Sequence, residues 1–287
     1  MSAPARLAGF AAAMALVFGA AALAGGAADP DPPGDRAAGM RDEHAMASEP
    51  GGQGAMAEQH PVRGLAVAQD GLRLQLADDE LRRGAAERLR FRIVGPGGRA
   101  VRDFDRRHER RMHLIVVRRD TTGFQHLHPH MTAGGTWTVP LRLAEAGSYR
   151  VFADFTRDGE PFTLAADLRV DGAADLRALP APAPAAAAGD GYRVRLDGAP
   201  VRAGRAAELR FGVTKAGAPV RVERYLGAGG HLVALREGDL AFLHVHPTGD
   251  RAAAFEATFP TPGRYRLFLQ FKHDDRVRTA AFTQEVG

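Results

Sequence analysis

Two strings, HLIVVRRDTTGFQHLHP at 113–129 and HLVALREGDLAFLHVHP at 231–247, decide how this chain is organised. Each begins with a histidine on an apolar run and ends with His-x-His-Pro. The first and second histidines are 13 positions apart in both copies, at 113 and 126 and at 231 and 244. Six of the 11 histidines therefore occupy repeated positions, and the sequence predicts a duplicated structural unit.

The composition narrows the classes of protein that this chain can be. Its 287 residues are enough for two domains of about 100 residues, each with its own core. The absence of cysteine excludes disulfides, thiolate metal sites and a cysteine nucleophile. The net charge is only +4, and the densest basic run, RRHERR at 106–111, contains an acid. We interpret that run as a solvated turn and expect no nucleic-acid partner.

The N-terminal 63 residues are predicted to lie outside the folded domains. Residues 1–28 combine one arginine, a long apolar stretch and small-residue cleavage sites, which is typical of a signal peptide. An uncleaved membrane anchor is the alternative, and either one places the rest of the chain outside the cytoplasm. Residues 29–63 have the composition of a disordered tether. The tether carries Met40, His44, Met46, Met56 and His60, which either capture Cu(I) weakly or belong to an ordinary linker.

Residues 64–172 consist of short alternating runs that are separated by turn residues, and we predict strands there. The predicted strands are 72–76, 89–93, 112–117, 124–128, 136–143, 149–155 and 162–170. This number of strands in about 100 residues is typical of an antiparallel β-sandwich of immunoglobulin-like or cupredoxin-like type.

The same pattern returns at 190–287, after a Pro/Ala linker at 173–189. The chain is therefore predicted to be all-β, with two tandem sandwiches. In each repeat one strand begins with Gly-x-Tyr, and the tyrosines are Tyr149 and Tyr265. This pattern resembles the tyrosine corner, so we expect both tyrosines to be structural.

The first string predicts a register for its histidines. A two-residue loop at Asp120-Thr121 would place His113 opposite His128. Because side chains alternate along a strand, His126 would lie on the same face. Three imidazoles would then converge at one end of the sandwich, and a shift of one residue would separate them.

The second string predicts the same arrangement. A loop at Gly238-Asp239 would place His231 opposite His246, with His244 beside them. The apolar residues on the same face are expected to pack inside each sandwich; these are Val117, Phe124, Leu235 and Phe242.

The histidines predict one three-histidine metal site per sandwich. The predicted ligands are His113, His126 and His128 in the first repeat and His231, His244 and His246 in the second. Imidazoles without thiolates suit Cu(II) or Zn(II), and we favour copper over zinc. Possible further ligands that do not recur between the repeats carry little weight; these are His108, Glu109, His130, Asp154, Gln270 and His273.

Three functional hypotheses follow from the sequence. The first is an exported copper-binding protein for buffering, delivery or resistance, which would exchange metal with a membrane or exported partner protein. The second is a non-enzymatic structural or interaction protein whose histidines are scaffolding. The third is a metal-dependent enzyme. It ranks last because the serines at 2, 48 and 148 offer no persuasive nucleophile and no phosphate-binding glycine loop is present.

The strings His113 to Asp120, Phe124 to Pro129, Tyr225 to Leu240 and Val277 to Phe282 carry a resemblance. They resemble exported two-repeat proteins of high-GC actinobacteria, largely uncharacterised and described as heavy-metal-binding, over about residues 64–287. More loosely, the arrangement is similar to periplasmic copper-resistance β-sandwich proteins, which bind copper through histidines near the end of the sandwich. These resemblances imply an exported β-sandwich that binds a heavy metal.

Overall fold

The computed structural model describes residues 62–198, 200–243, 245–249 and 252–287. The predicted signal peptide at 1–28 lies outside these residues, as does the predicted tether except for Val62 and Arg63. Within the described part of the chain, no helix has the length and apolar character that a membrane crossing requires.

The first repeat is built from two sheets that face each other. One sheet has the strand order β1-β2-β4-β8-β7 and the other has the order β3-β10-β9-β5-β6. The bounds are β1 Ala68–Gln69, β2 Leu72–Leu76, β3 Glu80–Leu81, β4 Glu87–Val94, β5 His113–Arg118, β6 Gln125–Leu127, β7 His130–Met131, β8 Trp137–Leu141, β9 Gly147–Arg157 and β10 Glu160–Val170. A short 3-10 helix, Pro96–Gly98, follows β4.

The second repeat has the same layout. One sheet has the order β11-β12-β13-β18-β17, with β14 paired to β13, and the other has the order β16-β15-β19-β20. The bounds are β11 Ala185–Ala187, β12 Tyr192–Asp197, β13 Ala206–Lys215, β14 Ala218–Pro219, β15 His231–Arg236, β16 Phe242–Leu243, β17 His246–Pro247, β18 Ala254–Thr258, β19 Gly263–His273 and β20 Arg276–Val286. Strand β11 lies within the predicted linker.

The predicted fold class is confirmed: the described chain forms immunoglobulin-like β-sandwiches. All seven strands that the sequence predicted in the first repeat are present, within a few residues of their predicted ends. Alternation explains them, since β2 buries Leu72 and Leu74 and exposes Arg73 between them. The pairing of β3 with β10 is parallel, whereas the other strand pairings in the described ranges are antiparallel.

The tyrosine corners are also confirmed. The Tyr149 hydroxyl donates to the Glu145 carbonyl at 2.8 Å, and the Tyr265 hydroxyl donates to the Thr261 carbonyl at 3.0 Å. Each hydroxyl therefore bonds to the backbone four residues upstream, where the chain turns into the long strand. Both tyrosines have a structural role.

Strands β5 and β15 are buried on both faces, which corrects one prediction. Leu114 and Val116 pack inside the first sandwich, whereas Ile115 and Val117 face outward and pack against the second repeat. We call this apolar layer between the repeats the seam. Its buried members are Ile115, Val117, Phe152, Ala165, Val233, Leu235, Leu240, Phe242 and Phe268, and Phe124 packs against them. The prediction that Val117, Phe124, Leu235 and Phe242 pack inside the sandwiches is therefore wrong: they pack between them.

Candidate metal centre

The β5–β6 hairpin brings the three histidines of the first repeat together. Ile115 pairs with His126, so continuing the ladder by two residues places His113 opposite His128. This is the register that the sequence predicted, and the prediction is confirmed. Because His126 lies opposite an outward-facing residue, all three imidazoles lie on the face that the sandwich turns toward the second repeat.

The turn of this hairpin differs from the predicted two-residue loop. The Arg118 N–H donates to the Thr122 carbonyl at 2.9 Å, and the Thr121 N–H donates to the Arg118 carbonyl at 2.8 Å. The turn is therefore centred on residues 119 and 120. Thr121 and Gly123 have left-handed backbone conformations, with φ of 66° and 63°. One extra residue then forms a bulge before β6, which restores the predicted register.

The three imidazoles are spaced like ligands of one ion. One nitrogen from each of His113, His126 and His128 lies within 4.8 Å of the other two. The ring centroids are 5.1, 5.2 and 4.8 Å apart. Imidazoles that bind one ion through bonds of about 2.0–2.1 Å have centroids about 4.5–5.2 Å apart at angles between a right angle and the tetrahedral angle. A small adjustment of the side chains would bring the three nitrogens into bonding range.

The hydrogen bonds of His113 and His126 leave two nitrogens that face each other. His113 Nε2 lies 3.3 Å from the Arg107 carbonyl oxygen, and His126 Nδ1 lies 2.6 Å from Gln270 Oε1. Both oxygens only accept, so each neutral imidazole donates its single N–H to them. The other two nitrogens, His113 Nδ1 and His126 Nε2, are 2.9 Å apart and carry only lone pairs in this arrangement. Two lone pairs that converge in this way favour a cation.

Burial keeps the cluster uncharged. Loss of hydration is the largest cause that lowers the pKa of His113 and brings the pKa of His128 to about 4. It also lowers the pKa of His126 and of His231 well below the ordinary value, and repulsion by neighbouring imidazoles acts in the same direction. The rings are therefore neutral at pH 7, which is the form that binds metals.

The second repeat closes the cluster from across the seam. The ring of His231 lies 4.5 Å from that of His126 and 5.6 Å from that of His113. Gln270, also in the second repeat, is the acceptor for His126 Nδ1. His108 approaches from a turn of the first repeat, with its ring 6.2 Å from that of His113 and 6.4 Å from that of His231.

A small cavity borders these side chains. Its volume is about 20 Å³, which is enough for one water molecule. His108 and Asp154 of the first repeat line it, together with His231 and Phe255 of the second. Burial raises the pKa of the Asp154 carboxyl, against the opposing influence of a hydrogen bond from Thr163.

Sequence reasoning gave His108 and Gln270 little weight and did not address whether the two repeats are in contact. A signal for that contact was present in the strings themselves. The runs Leu114 to Val117 and Leu232 to Leu235 are apolar at every position, whereas a strand with one solvated face alternates. Uninterrupted apolar runs predict burial on both faces, and here the second face is the seam.

The second string folds differently from the first after its hairpin. Leu235 pairs with Phe242 in the predicted register. However, His246 lies in β17, where it is exposed and pairs with Glu256 of the other sheet. It is therefore not opposite His231, and that part of the prediction is wrong. His244 lies outside the described residues.

The two repeats pair with the neighbouring sheet at different points along the chain. In the first repeat, Met131 of β7 pairs with Trp137 of β8, whereas in the second repeat Pro247 of β17 pairs with Phe255 of β18. Pro247 is the counterpart of Pro129, so the chain of the second repeat joins the other sheet already within the string, at His246 and Pro247. As a result, His246 lies on the other sheet and does not face His231.

Comparisons with known proteins bear on the family and the fold. The chain is 14% identical to the Escherichia coli adhesin FdeC, with a TM-score of 0.28, and the match covers 77% of this chain and 66% of that structure. It is 13% identical to Salmonella alpha-2-macroglobulin, with a TM-score of 0.28, over 79% of this chain and 15% of that one. The chain spans less than two thirds of either structure. Likenesses this distant carry no argument about function.

The family comparison is more informative than the structural one. No curated protein matches the chain. The family described as "Domain of unknown function (DUF8832)" matches residues 66–172 and again residues 186–287. These two matches cover most of the chain and coincide with the two sets of sheets. The chain therefore belongs to the DUF8832 family and contains its domain twice.

Proposed function

We propose that this protein is an exported metal-binding protein that holds copper, or alternatively zinc, at His113, His126 and His128. The observation that carries the proposal is that His113 Nδ1 and His126 Nε2 face each other 2.9 Å apart. The other nitrogen of each ring donates a hydrogen bond to an oxygen. Histidine ligands of metals almost always donate their second N–H to a carbonyl or carboxylate in this way. Buffering, delivery or resistance are the roles that such a site would serve.

The donor set suits both copper and zinc. Nitrogen ligands without thiolates suit both Cu(II) and Zn(II). The nitrogens of His113 and His126 are 2.9 Å apart, as at a right angle, whereas their ring centroids are 5.1 Å apart, as at the tetrahedral angle, so this geometry does not choose between the two ions. The lowered pKa values of the cluster also help either metal, because protons compete less for the nitrogens near neutral pH.

Export is part of the proposal because of the apolar, signal-like residues 1–28. The tether with its methionines and histidines would join the folded part beside the cluster. Arg63 pairs with Phe242 at the seam, and its positive charge opposes the rise in the pKa of Asp154. The last residue of the tether, Arg63, is therefore close to the side chains that surround the three-histidine site.

A structural role for the histidines is the second candidate, and one contact favours it. If the Gln270 amide is turned over, its N–H donates to His126 Nδ1. His126 Nε2–H then donates to His113 Nδ1, and 2.9 Å is also an ordinary length for that bond. The chain of hydrogen bonds then closes without a cation, and the histidines only connect the two repeats.

Metal titration of the full chain separates the two candidates. Cu(II) and Zn(II) are titrated into the wild type and into the double variant His126→Ala/His128→Ala. The proposal expects one tight equivalent in the wild type that is lost in the double variant. His130→Ala is the matched control, because His130 is exposed on β7 outside the cluster.

The structural candidate expects a different result. The tether histidines would bind equally in all three proteins, so binding that is unchanged by the double substitution would overturn the proposed site. A double variant that has lost stability but binds the same amount of metal would favour the scaffolding role.

A further inference from the structure

The seam between the repeats is reciprocal. Phe124 of the first repeat stacks on Phe268 of the second, with centroids 4.0 Å apart and planes 8° apart. Their counterparts in the other repeat, Phe242 and Phe152, lie 5.5 Å apart across the same layer. In a two-fold interface, residue i contacts residue j of the partner and j contacts i. The two repeats thus meet as the subunits of a symmetric dimer do.

His113 and His231 are counterparts in this two-fold arrangement of the repeats, and they face each other. They are the first histidines of the two strings, and their rings are parallel within 8° at 5.6 Å. Counterparts that face each other lie beside the two-fold axis of such an interface. An ion held by His113 therefore lies within reach of the second repeat.

His231 lies outside the group of three nitrogens within 4.8 Å of one another, so its ring has to shift to join such an ion, but it has a nitrogen without a hydrogen bond. Its Nδ1 is buried and has no hydrogen-bond partner in the described ranges, and the same is true of His128 Nε2. Buried polar atoms are almost always paired, so these two require an explanation. The ring of His231 is 4.5 Å from that of His126, which is the spacing of two imidazoles on one ion.

Gln270 gives the second repeat a further part in the site. By accepting from His126 Nδ1 at 2.6 Å, it determines that Nε2 is the nitrogen that faces the cluster. The counterpart of Gln270 in the first repeat is Asp154, whose carboxylate accepts from the Thr163 hydroxyl at 2.7 Å. The two repeats therefore differ at this position: Gln270 orients the ring of His126, whereas Asp154 bonds to Thr163.

We infer that the two repeats bind one metal ion jointly, with His231 as the fourth nitrogen ligand and Gln270 as a positioning residue for His126. This inference rests on the proposed metal-binding function. It replaces two independent sites with a single site across the seam. Because the site is complete only when the repeats are docked, metal binding and docking favour each other by the same factor.

Counting the imidazoles on bound copper tests the fourth ligand. The full chain, with His44→Gln and His60→Gln in every sample, is loaded with one equivalent of Cu(II) and examined by pulsed electron paramagnetic resonance. We expect four coordinated imidazoles in this parent protein and three in His231→Leu, with affinity at least about tenfold weaker. His231→Gln is a second variant in case the leucine variant does not fold.

A control and a positioning variant accompany this experiment. His273→Gln changes a histidine of the second repeat that bonds to the Tyr192 hydroxyl, away from the cluster, and should retain four imidazoles. Gln270→Leu should also retain four, with affinity about 10–100-fold weaker because the ring of His126 loses its orienting acceptor.

Hydrogen exchange tests the coupling between the repeats. Addition of Zn(II) to the wild-type chain should slow amide exchange in β15 and β19 of the second repeat as well as in β5 and β6. In His231→Leu, protection should remain only in the first repeat.

The outcomes separate this inference from the function on which it rests. No metal binding by the folded wild type would overturn both. A parent protein with three imidazoles on copper and with protection confined to β5 and β6 would overturn the joint site and leave the three-histidine site standing. Two tight ions per chain would also overturn it.

Discussion

His126 illustrates how neighbouring groups determine the chemistry of a histidine. The side chain is buried, with Nε2 facing His113 and Nδ1 facing Gln270. An exposed imidazole near pH 6.5 would be divided between charged and neutral forms. Here the loss of hydration, together with two neighbouring imidazoles, lowers the pKa well below that value. His126 is therefore neutral at pH 7, and its free nitrogen can offer a lone pair to a metal ion.

The lowered pKa values predict how the stability of the metal-free protein depends on pH. The pKa of His128 is about 4 in the folded chain, compared with 6.5 ordinarily. Between these values the unfolded chain binds more protons than the folded chain. The free energy of unfolding should therefore fall as the pH is lowered through 6.5 and level off below about 4 for this group. The shifts of His126 and His231 have the same sign.

Urea denaturation at pH 7, 6, 5 and 4 in the presence of a chelator measures this dependence. His128→Leu should reduce the slope between pH 6.5 and 4, because one of the groups that takes up a proton on unfolding is gone. A wild-type stability that is flat or rising as the pH falls across this range would contradict the neutral cluster.

At the scale of elements, β5 and β15 organise each repeat because both of their faces are buried. Each strand shares a core with its own sandwich and a second core with the other repeat. The histidines that begin these strands lie on the face that belongs to the seam. If β5 and β15 each had one face in contact with solvent, His113 and His231 would be exposed to water.

The segment before β1 also lies against the seam. The contacts of Gly64 show how little space separates this segment from Phe152 and Phe242. The φ of Gly64 is 71°, and a Cβ at this position would lie 2.8 Å from the Phe152 ring and from Phe242 Cβ. Gly84 has nearly the same φ, 70°, with nothing within 4 Å. We expect Gly84→Ala to cost only the left-handed strain of about 1–2 kcal/mol, and Gly64→Ala to cost about 1–3 kcal/mol more through the steric overlap.

Urea denaturation of the two alanine variants separates these contributions, because the backbone strain is common to both. Equal losses of stability would mean that the segment around Gly64 moves away from the phenylalanines without cost, and that it does not belong to the seam.

At the scale of the whole molecule, we expect the seam to make the two repeats unfold as a single cooperative unit. Phe268 is only 3% exposed and stacks on Phe124 of the other repeat. We expect Phe268→Ala to destabilise the chain by about 3–5 kcal/mol. Because much of that loss falls on the contact between the repeats, their unfolding transitions should separate. Val277→Ala, at a site that is 43% exposed on β20, should change the stability by less than about 0.5 kcal/mol.

The single tryptophan allows this separation to be observed. Trp137 lies in the core of the first repeat, so its fluorescence follows that repeat, whereas far-ultraviolet circular dichroism follows both. The two urea curves should coincide in the wild type and differ in Phe268→Ala. Coincident curves in the variant would indicate that the repeats are coupled through contacts other than the seam.

The sequence by itself determined the features that depend on local periodicity. Alternation predicted the strands of the first repeat, the Gly-x-Tyr pattern predicted the corners at Tyr149 and Tyr265, and the first string predicted that His113 would lie opposite His128. These features follow from pairing within one hairpin or one sandwich, where spacing along the chain converts directly into spacing in space.

Only the tertiary structure decided where the histidines of the second repeat lie and what surrounds those of the first. Pairing with Glu256 placed His246 on another sheet, and packing across the seam placed His231 and Gln270 against His126. Contacts between residues more than one hundred positions apart depend on which faces of two sandwiches are buried together. That choice is made by the apolar area of both repeats combined, which no spacing within one string encodes.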